Sequence, residues 1–330
     1  MTDWRGQVTF VNVGNGDAIL IEVPDKDCRD GRFVMLIDGG SNENFEYADA
    51  STGRIRVADY MEQKGIEHID VMVCTHIHED HTCGLLPAAE KWPPRVLWQP
   101  IPKNIIAMMK PLPIEGQTES ENKFIAALND FQKLCILVEN SGGRIVQMTP
   151  DKTLYRNLCL AAGVYVKVLG PSEKALDREI SLFKALYQEG NREALPQMDR
   201  YMNSVSLLLH ITCAGKTFLL TGDTEKDGYG ECRKDIAADV FKLGHHGQKN
   251  SIDPDILEAV DPCYAVLCVS SDRRYDSGAP EILHMLAQAG IPAYYSDCLE
   301  MMPYTDGVEP HRAVLFQIMK EGTLQVSYER

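Results

Sequence analysis

Apolar and polar residues alternate through the first forty positions, the period-2 pattern of half-buried strands. "QVTFVNV" and "AILIEV" flank the turn "GNGD", and "FVMLIDGG" follows a polar loop at Asp30-Gly31. "RVADYMEQKG" has helical spacing and a terminal Gly65, and "IDVMVCT" is a short apolar run suited to a buried strand. The next residues are "HIHEDHTCGL". They fall on a strand-end loop, where α/β architectures place chemistry.

The second half repeats the plan. "VSLLLHITCAGKTFLLTGD" predicts a hairpin around Ala214-Gly215 that ends in an acidic loop, and "ADVFKLGHHG" predicts a strand that ends in histidines. The strand "CYAVLCVS", the helix "PEILHMLAQAG", the strand "IPAYYSD" and the hairpin "AVLFQIMKEGTLQVSYE" complete the pattern. Between the halves, residues 101–200 carry the predicted helices "NKFIAALNDFQKLCILVEN" and "EKALDREISLFKALYQEG" around one clear strand, "VYVKVLG". No Pro/Gly-rich linker isolates them. The expectation is a single domain over 1–330, with an insertion at about 101–200 that walls a pocket. Two strand-rich halves with helices outside predict an α/β fold of two sheets packed face to face.

Composition narrows this picture. With 44% hydrophobic and 25% charged residues, the 330-residue chain lies outside the disordered range. A formal charge of -15 makes the average surface repel polyanions, so nucleic acid would need a local basic patch. The ten cysteines are singletons without a Cys-x-x-Cys pair, as expected of reduced thiols in a cytoplasmic protein. The first residues enter a strand pattern directly, with no leader-like segment, and no window has the length of a membrane span. The expectation is therefore a cytoplasmic chain without a membrane partner.

The chemistry sits at the two strand ends, which hold five of the nine histidines. In an extended segment His76 and His78, at i and i+2, project to the same side and can grip one cation. Asp80 and His81, after the chain has turned, can grip a second. Asp223 has two oxygens with which to bridge both ions, and one of the pair His245-His246 can complete the second set. His210, mid-strand, reads as a satisfied sheet residue, and His68, His284 and His311 as structural or exposed. "GNGD" with Asp17 reads as a strand-to-strand turn rather than a phosphate loop.

The string His76-x-His78-x-Asp80-His81, with Asp38-Gly39-Gly40 before it and Thr221-Gly222-Asp223 and Gly244-His245-His246-Gly247 after it, resembles the metallo-β-lactamase-fold hydrolase superfamily. More narrowly, "FVNVGNGDAILI", "SVSLLL", "FLLTGD" and "ADVFKLGHHG" resemble the branch that includes the C-terminal domain of the competence protein ComEC and phosphorylcholine esterase. The resemblance covers both halves and skips 101–200. It implies a four-layer αββα sandwich with two divalent metal ions, zinc first, with manganese or iron as alternatives. His76, His78 and Asp223 would hold the first ion; Asp80, His81, Asp223 and His246 would hold the second. His245 would be a phosphate contact or proton donor, the reverse assignment of the pair being the alternative. Asp38 would orient a ligand histidine.

Two departures are visible. Where many members supply a further histidine before the bridging aspartate, this chain has Asn203; where the competence branch often has His-Pro, it has Ala279-Pro280. The implied activity is metal-dependent hydrolysis by a two-metal phosphodiesterase or nuclease in which a bridging water is activated and Asp80 orients it. The substrate would be a phosphodiester, either nucleic acid or a small molecule. Acyl hydrolysis of the thioesterase, lactonase or lactamase kind and a degenerate, non-catalytic binding module are the alternatives. His78, where electron-transfer relatives carry a carboxylate, argues against a redox centre. The pattern fixes neither oligomeric state nor substrate size.

Overall fold

The computed structural model describes residues 4–150 and 158–330. Residues 1–3 of the predicted N-terminal strand region and 151–157 of the predicted insertion lie outside the described residues. The strands are β1 (Trp4–Val11), β2 (Ile19–Pro24), β3 (Arg32–Ile37), β4 (Val71–Val73), β5 (Val96–Gln99), β6 (Arg144–Gln147), β7 (Leu158–Ala161), β8 (Val164–Gly170), β9 (Leu208–Cys213), β10 (Lys216–Leu220), β11 (Val240–Lys242), β12 (Tyr264–Leu267), β13 (Ala293–Tyr295), β14 (Ala313–Met319) and β15 (Leu324–Glu329). One sheet has the order β15-β14-β1-β2-β3-β4-β5-β6 and the other β13-β12-β11-β10-β9-β8-β7.

Alternation sorts the side chains into layers. Phe33, Met35 and Ile37 of β3 join Leu209, Ile211, Phe218 and Leu220 of the other sheet in one buried core between the sheets. Val34 and Leu36, on the opposite face, pack under helices α1 (Val57–Gln63), α3 (Leu85–Lys91) and α5 (Glu119–Asn140). Leu208, Leu219 and Phe241 face outward from the second sheet and pack under α8 (Pro254–Val260) and α9 (Pro280–Gln288). Three apolar interfaces separate four layers, helix, sheet, sheet, helix, which is the αββα sandwich expected from the resemblance.

The 101–200 stretch is woven into both sheets. It supplies β6 to the first and β8 with most or all of β7 to the second, and its helices α4 (Lys103–Ile106), α5, α6 (Glu173–Tyr187) and α7 (Leu195–Tyr201) cover the first sheet's outer face. Only one of these strands, β8, was clear in the sequence pattern.

Parallel pairing decides where the site forms. β3, β4, β5 and β6 run parallel, as do β10, β11, β12 and β13. Asp38 and His76 therefore leave the carboxyl ends of β3 and β4, while Asp223 and His246 leave those of β10 and β11. Strand ends of this kind leave loop backbones free to turn toward a ligand.

Close backbone approach locks these loops together. Asp17 N donates to Asp80 O at 3.2 Å, Gly40 N to Asp17 O at 2.8 Å, Gly39 N to His81 O at 2.8 Å and Gly84 N to Gly40 O at 2.9 Å. Gly16 has φ +114, and a Cβ there would lie 1.9 Å from Asp80 O. The turn that carries Asp17 is thus a strut beneath α2 (Glu79–Thr82), the short helix that presents Asp80 and His81. Gly16→Ala is expected to lower the unfolding free energy by about 2 kcal/mol or more, through both clash and φ strain. Urea denaturation measures this, and an unchanged midpoint would contradict the packing described.

Glu179, on α6, is fully buried and neither carboxyl oxygen has a hydrogen-bond partner. Burial raises its pKa to about 8 from the ordinary 4.5, against a smaller opposing pull from Arg178. The unfolded chain then loses this proton more readily than the folded one, so stability falls as pH rises from about 4.5 to about 8. Glu179→Gln is expected to flatten that slope in pH-dependent melting curves; an identical slope in the variant would refute it.

Candidate metal centre

β4 ends at Val73, and Thr75 then fixes the start of the histidine loop. Its N–H donates to Asp38 Oδ1 at 2.8 Å and its hydroxyl to Asp38 Oδ2 at 2.6 Å. Asp38 Oδ2 also lies 2.9 Å from His81 Nδ1. Asp38 is wholly buried; burial lifts its pKa above the ordinary range, while His81 and Thr75 pull the other way. One carboxylate thus holds the Nδ1 side of His81 and leaves Nε2 facing the site.

Around Nε2 the predicted groups come together. Ligand atoms of His76, His81 and Asp223 lie within 4.8 Å of one another, as do those of Asp80, His81 and His246. Asp223 Oδ2 is 3.4 Å from His81 Nε2 and 3.1 Å from His246 Nε2, and Asp80 Oδ2 is 3.2 Å from His246 Nε2. Yet Nε2 of His81 and of His246, and Asp223 Oδ1, are buried with no hydrogen bond. Atoms this close but not aligned as donor and acceptor have the disposition of ligands around a cation, and buried polar atoms without partners call for one.

The charges agree with that fit. His76 is held well below the ordinary histidine range by burial and by the neighbouring His81 and His78, which leaves a neutral imidazole lone pair. Burial opposes charge on His246 as well, but Asp223 and Asp80 outweigh it and lift that ring to about 10. His81 is raised for the same reason, by Asp223, Asp80 and Asp38 against burial. Burial also works against the charged forms of Asp80 and Asp223, yet the histidines hold both carboxyls below their ordinary range. The carboxylates thus favour positive charge at the two rings, as they would favour metal ions there, and the donor set of imidazoles and carboxylates suits zinc, manganese or iron.

His78 sits at the edge. Its Nδ1 is 3.1 Å from His76 Nε2, and its Nε2 is 3.3 Å from Asp199 Oδ1 on α7. It shares a face with His76, as its i+2 spacing implies, but falls in no three-residue cluster with Asp223 among the described residues. His245 Nε2 is 3.2 Å from Asn203 Nδ2, and its Nδ1 is 3.1 Å from Asn250 Oδ1 and 3.5 Å from Glu225. The pair His245-His246 adopts left-handed φ of 45° and 53°, which turns the two rings to different jobs: His246 Nε2 into the cluster, His245 toward the cleft wall. His210 Nε2 and His311 Nε2 meet the carbonyls of Ala237 and Tyr295, each at 2.9 Å, as structural histidines.

A cavity of about 400 Å³ opens over this cluster, with Asn15, Glu79, Ser120, Lys123, Phe124 and Gln248 among its walls. Phe124, Ser120, Lys123 and Asp199 all come from the 101–200 stretch.

Two residues under the site escaped the sequence reading. Lys242 is completely buried; its ammonium pairs with Asp17 Oδ2, donates to Gly222 O at 2.8 Å and lies 3.9 Å from Asp223 Oδ1. Asp17 in turn reaches to 3.6 Å from His246 Nδ1. The signal was a lysine inside the apolar strand "VFKLG", since lysine is almost never buried unless paired. Lys242 places a buried positive charge beneath Asp223, and Asp17 is its closest counter-ion. Lys242→Met, which strands Asp17, is expected to cost about 3–5 kcal/mol, and Asp17→Asn with Lys242→Met to recover part of it. A double-mutant cycle by denaturation measures the coupling; additive losses would show that the two do not act as a pair.

Residues 11–117 match the family described as the metallo-beta-lactamase superfamily. Over 303 residues the chain is 23% identical to ComE operon protein 3 of Bacillus subtilis (strain 168), a match that covers 89% of this chain and 32% of that protein. The chain thus spans about a third of the length of that curated relative. Among solved structures it is similar to zinc-bound PqqB from Methylobacterium extorquens, with 9% identity, TM-score 0.47 and coverage of 88% and 98% of the two chains. It is also similar to CmlA, a diiron β-hydroxylase from Streptomyces venezuelae, with 12% identity, TM-score 0.45 and coverage of 88% and 53%. The matched residues 11–117 hold Asp17, Asp38 and the whole of the His76-to-His81 string, so the part of the chain that is similar to the metallo-beta-lactamase superfamily is the part that carries the first half of the site.

Proposed function

We propose that this chain is a phosphodiesterase dependent on two divalent cations, zinc first, and that it forms a single domain whose 101–200 stretch walls the substrate cleft. The observation that carries this is Asp223, whose Oδ2 lies 3.4 and 3.1 Å from the unpartnered Nε2 atoms of His81 and His246. His76, His78 and Asp223 would hold one cation, and Asp80, His81, Asp223 and His246 the other. When bound, such cations lower the pKa of water and stabilise charge that develops on a phosphoryl oxygen.

The remaining work falls to the chain's own groups. Asp80, whose Oδ2 accepts from Asn15 Nδ2 at 3.0 Å, is held in a fixed rotamer to orient the attacking water. His245 is assigned proton transfer to the leaving oxygen; its Nε2 accepts from Asn203 Nδ2 until a proton is taken up there, and Asn250 and Glu225 stand at its other nitrogen. Asp38 acts through His81, and Asn203 through His245. A cytoplasmic setting belongs to the same proposal: all ten cysteines are free, and no helix among the described residues is long and apolar enough to cross a membrane.

Assay of the metal-loaded protein on bis-p-nitrophenyl phosphate, a chromogenic lactam and a thioester tests the reading. Diester turnover well above the other two is expected; turnover of only the lactam or thioester would make the chain an acyl hydrolase, and none at all a binding module. Asp223→Ala is expected to retain less than one equivalent of metal and to lose activity. His245→Asn is expected to keep its metal and to lose about 10²-fold or more in kcat on alkyl diesters, far less on p-nitrophenyl esters, whose leaving group needs no proton. Equal losses on both would remove His245 from proton transfer.

A further inference from the structure

We propose that the mouth of the cleft holds an aromatic subsite built by Phe45 and Tyr275, which takes the planar base of a nucleotide-type phosphodiester; this rests on the phosphodiesterase reading above. Large apolar side chains left exposed among the described residues are Phe45, Ile114, Ile136, Tyr165, Tyr275 and Met302. Such residues are normally scattered singly. Here two of the six, Phe45 at 51% and Tyr275 at 59% exposure, line one cavity of about 570 Å³. That cavity shares Ser120, Lys123 and Tyr275 with the cavity over the metal centre, so the two adjoin.

The backbone invests in this placement. Arg273, Tyr275 and Asp276 all have left-handed φ, 53°, 57° and 55°, a conformation non-glycine residues seldom adopt and one that concentrates at binding sites. The base of the loop is tied down: the buried Arg54 donates to Ser270 Oγ at 3.1 Å and Ser271 Oγ at 2.9 Å, and Ser271 N to Asp297 Oδ2 at 2.8 Å. Opposite, Tyr47 donates its hydroxyl to Ser41 O at 2.6 Å and fixes the short turn that presents Phe45. Two rings on separately anchored loops make a stacking platform, which accepts any base through its π-face.

Charge limits what else can enter. Lys123, whose ammonium lies 5.6 Å from the Phe45 ring centre, is the only lysine or arginine among the described side chains that lines either cavity. It is flanked by Glu43 at 3.7 Å and Glu119 at 3.4 Å, with Asp272 and Asp276 also on the walls. A strand of many phosphates needs a track of basic groups, and the described side chains lining these cavities form none. The surface fits one unpaired base attached to one phosphate at the metal centre, a small nucleotide diester rather than a duplex.

Calorimetric titration of manganese-loaded protein with adenosine 5'-monophosphate, ribose 5-phosphate and inorganic phosphate tests this. Adenosine monophosphate is expected to bind about tenfold or more tightly than ribose 5-phosphate, and Phe45→Ala or Tyr275→Ala to close that gap, with Tyr275→Phe restoring it. Equal affinity for the two phosphates, or a gap that survives both alanine variants, overturns the subsite. Should no phosphate compound bind, the phosphodiesterase reading fails on its own; adenosine, which carries no phosphate, then decides, with Phe45- and Tyr275-dependent chemical shifts upholding the subsite and their absence overturning it.

Discussion

Four carboxylates, Asp17, Asp38, Asp80 and Asp223, each come within 3.9 Å of a ring nitrogen of His81, and three of them are almost wholly buried. Taking such charges out of water is costly unless positive charge comes with them. The chain supplies part of it permanently. Lys242 stands beneath Asp17 and Asp223, fully buried at the carboxyl end of β11. His81 and His246, whose pKa values these carboxylates raise against the effect of burial, are the other groups placed to carry positive charge. Divalent cations placed between these rings and the carboxylates would supply the same positive charge and leave the ring lone pairs as ligands.

That charge balance dictates geometry elsewhere. The groups can converge because four parallel strands deliver them at their carboxyl ends and because the loops approach one another without side chains between them. Gly16, which passes over the Asp80 carbonyl, and Gly39 and Gly84, which meet backbone to backbone, allow this. The cleft then needs walls, and these come from α5 and α7 on one side and the loop carrying Tyr275 on the other. The binding surface is therefore assembled from segments distant in sequence around a core that the ion pair holds in place.

Most of the fold was legible because its strands alternate cleanly and end in turn residues. The two hairpins, the strand before the histidines and the helix at Pro280 follow directly from period and capping. β6 and β7 were not legible: they have four residues each and are largely half-exposed, β6 is polar at both ends, and each is a strand only because a sheet edge is beside it. In the centre, His76, Asp80, His81, Asp223 and His246 were visible as residue types that seldom crowd by chance. Asp17 and Lys242 were hidden because each looks ordinary alone, a turn aspartate and a strand lysine, and only the fold makes them neighbours. Phe45 and Tyr275 gave no signal at all, since exposure cannot be read from an isolated aromatic.

The most direct measurement is an anomalous-difference map from crystals of this protein grown with zinc or manganese. Two peaks are expected, both in bonding contact with the Asp223 carboxylate, one against His76 and His78 and the other against Asp80, His81 and His246. A single peak away from Asp223, or no peak with His81 and His246 still bonded to the carboxylates, would contradict the account.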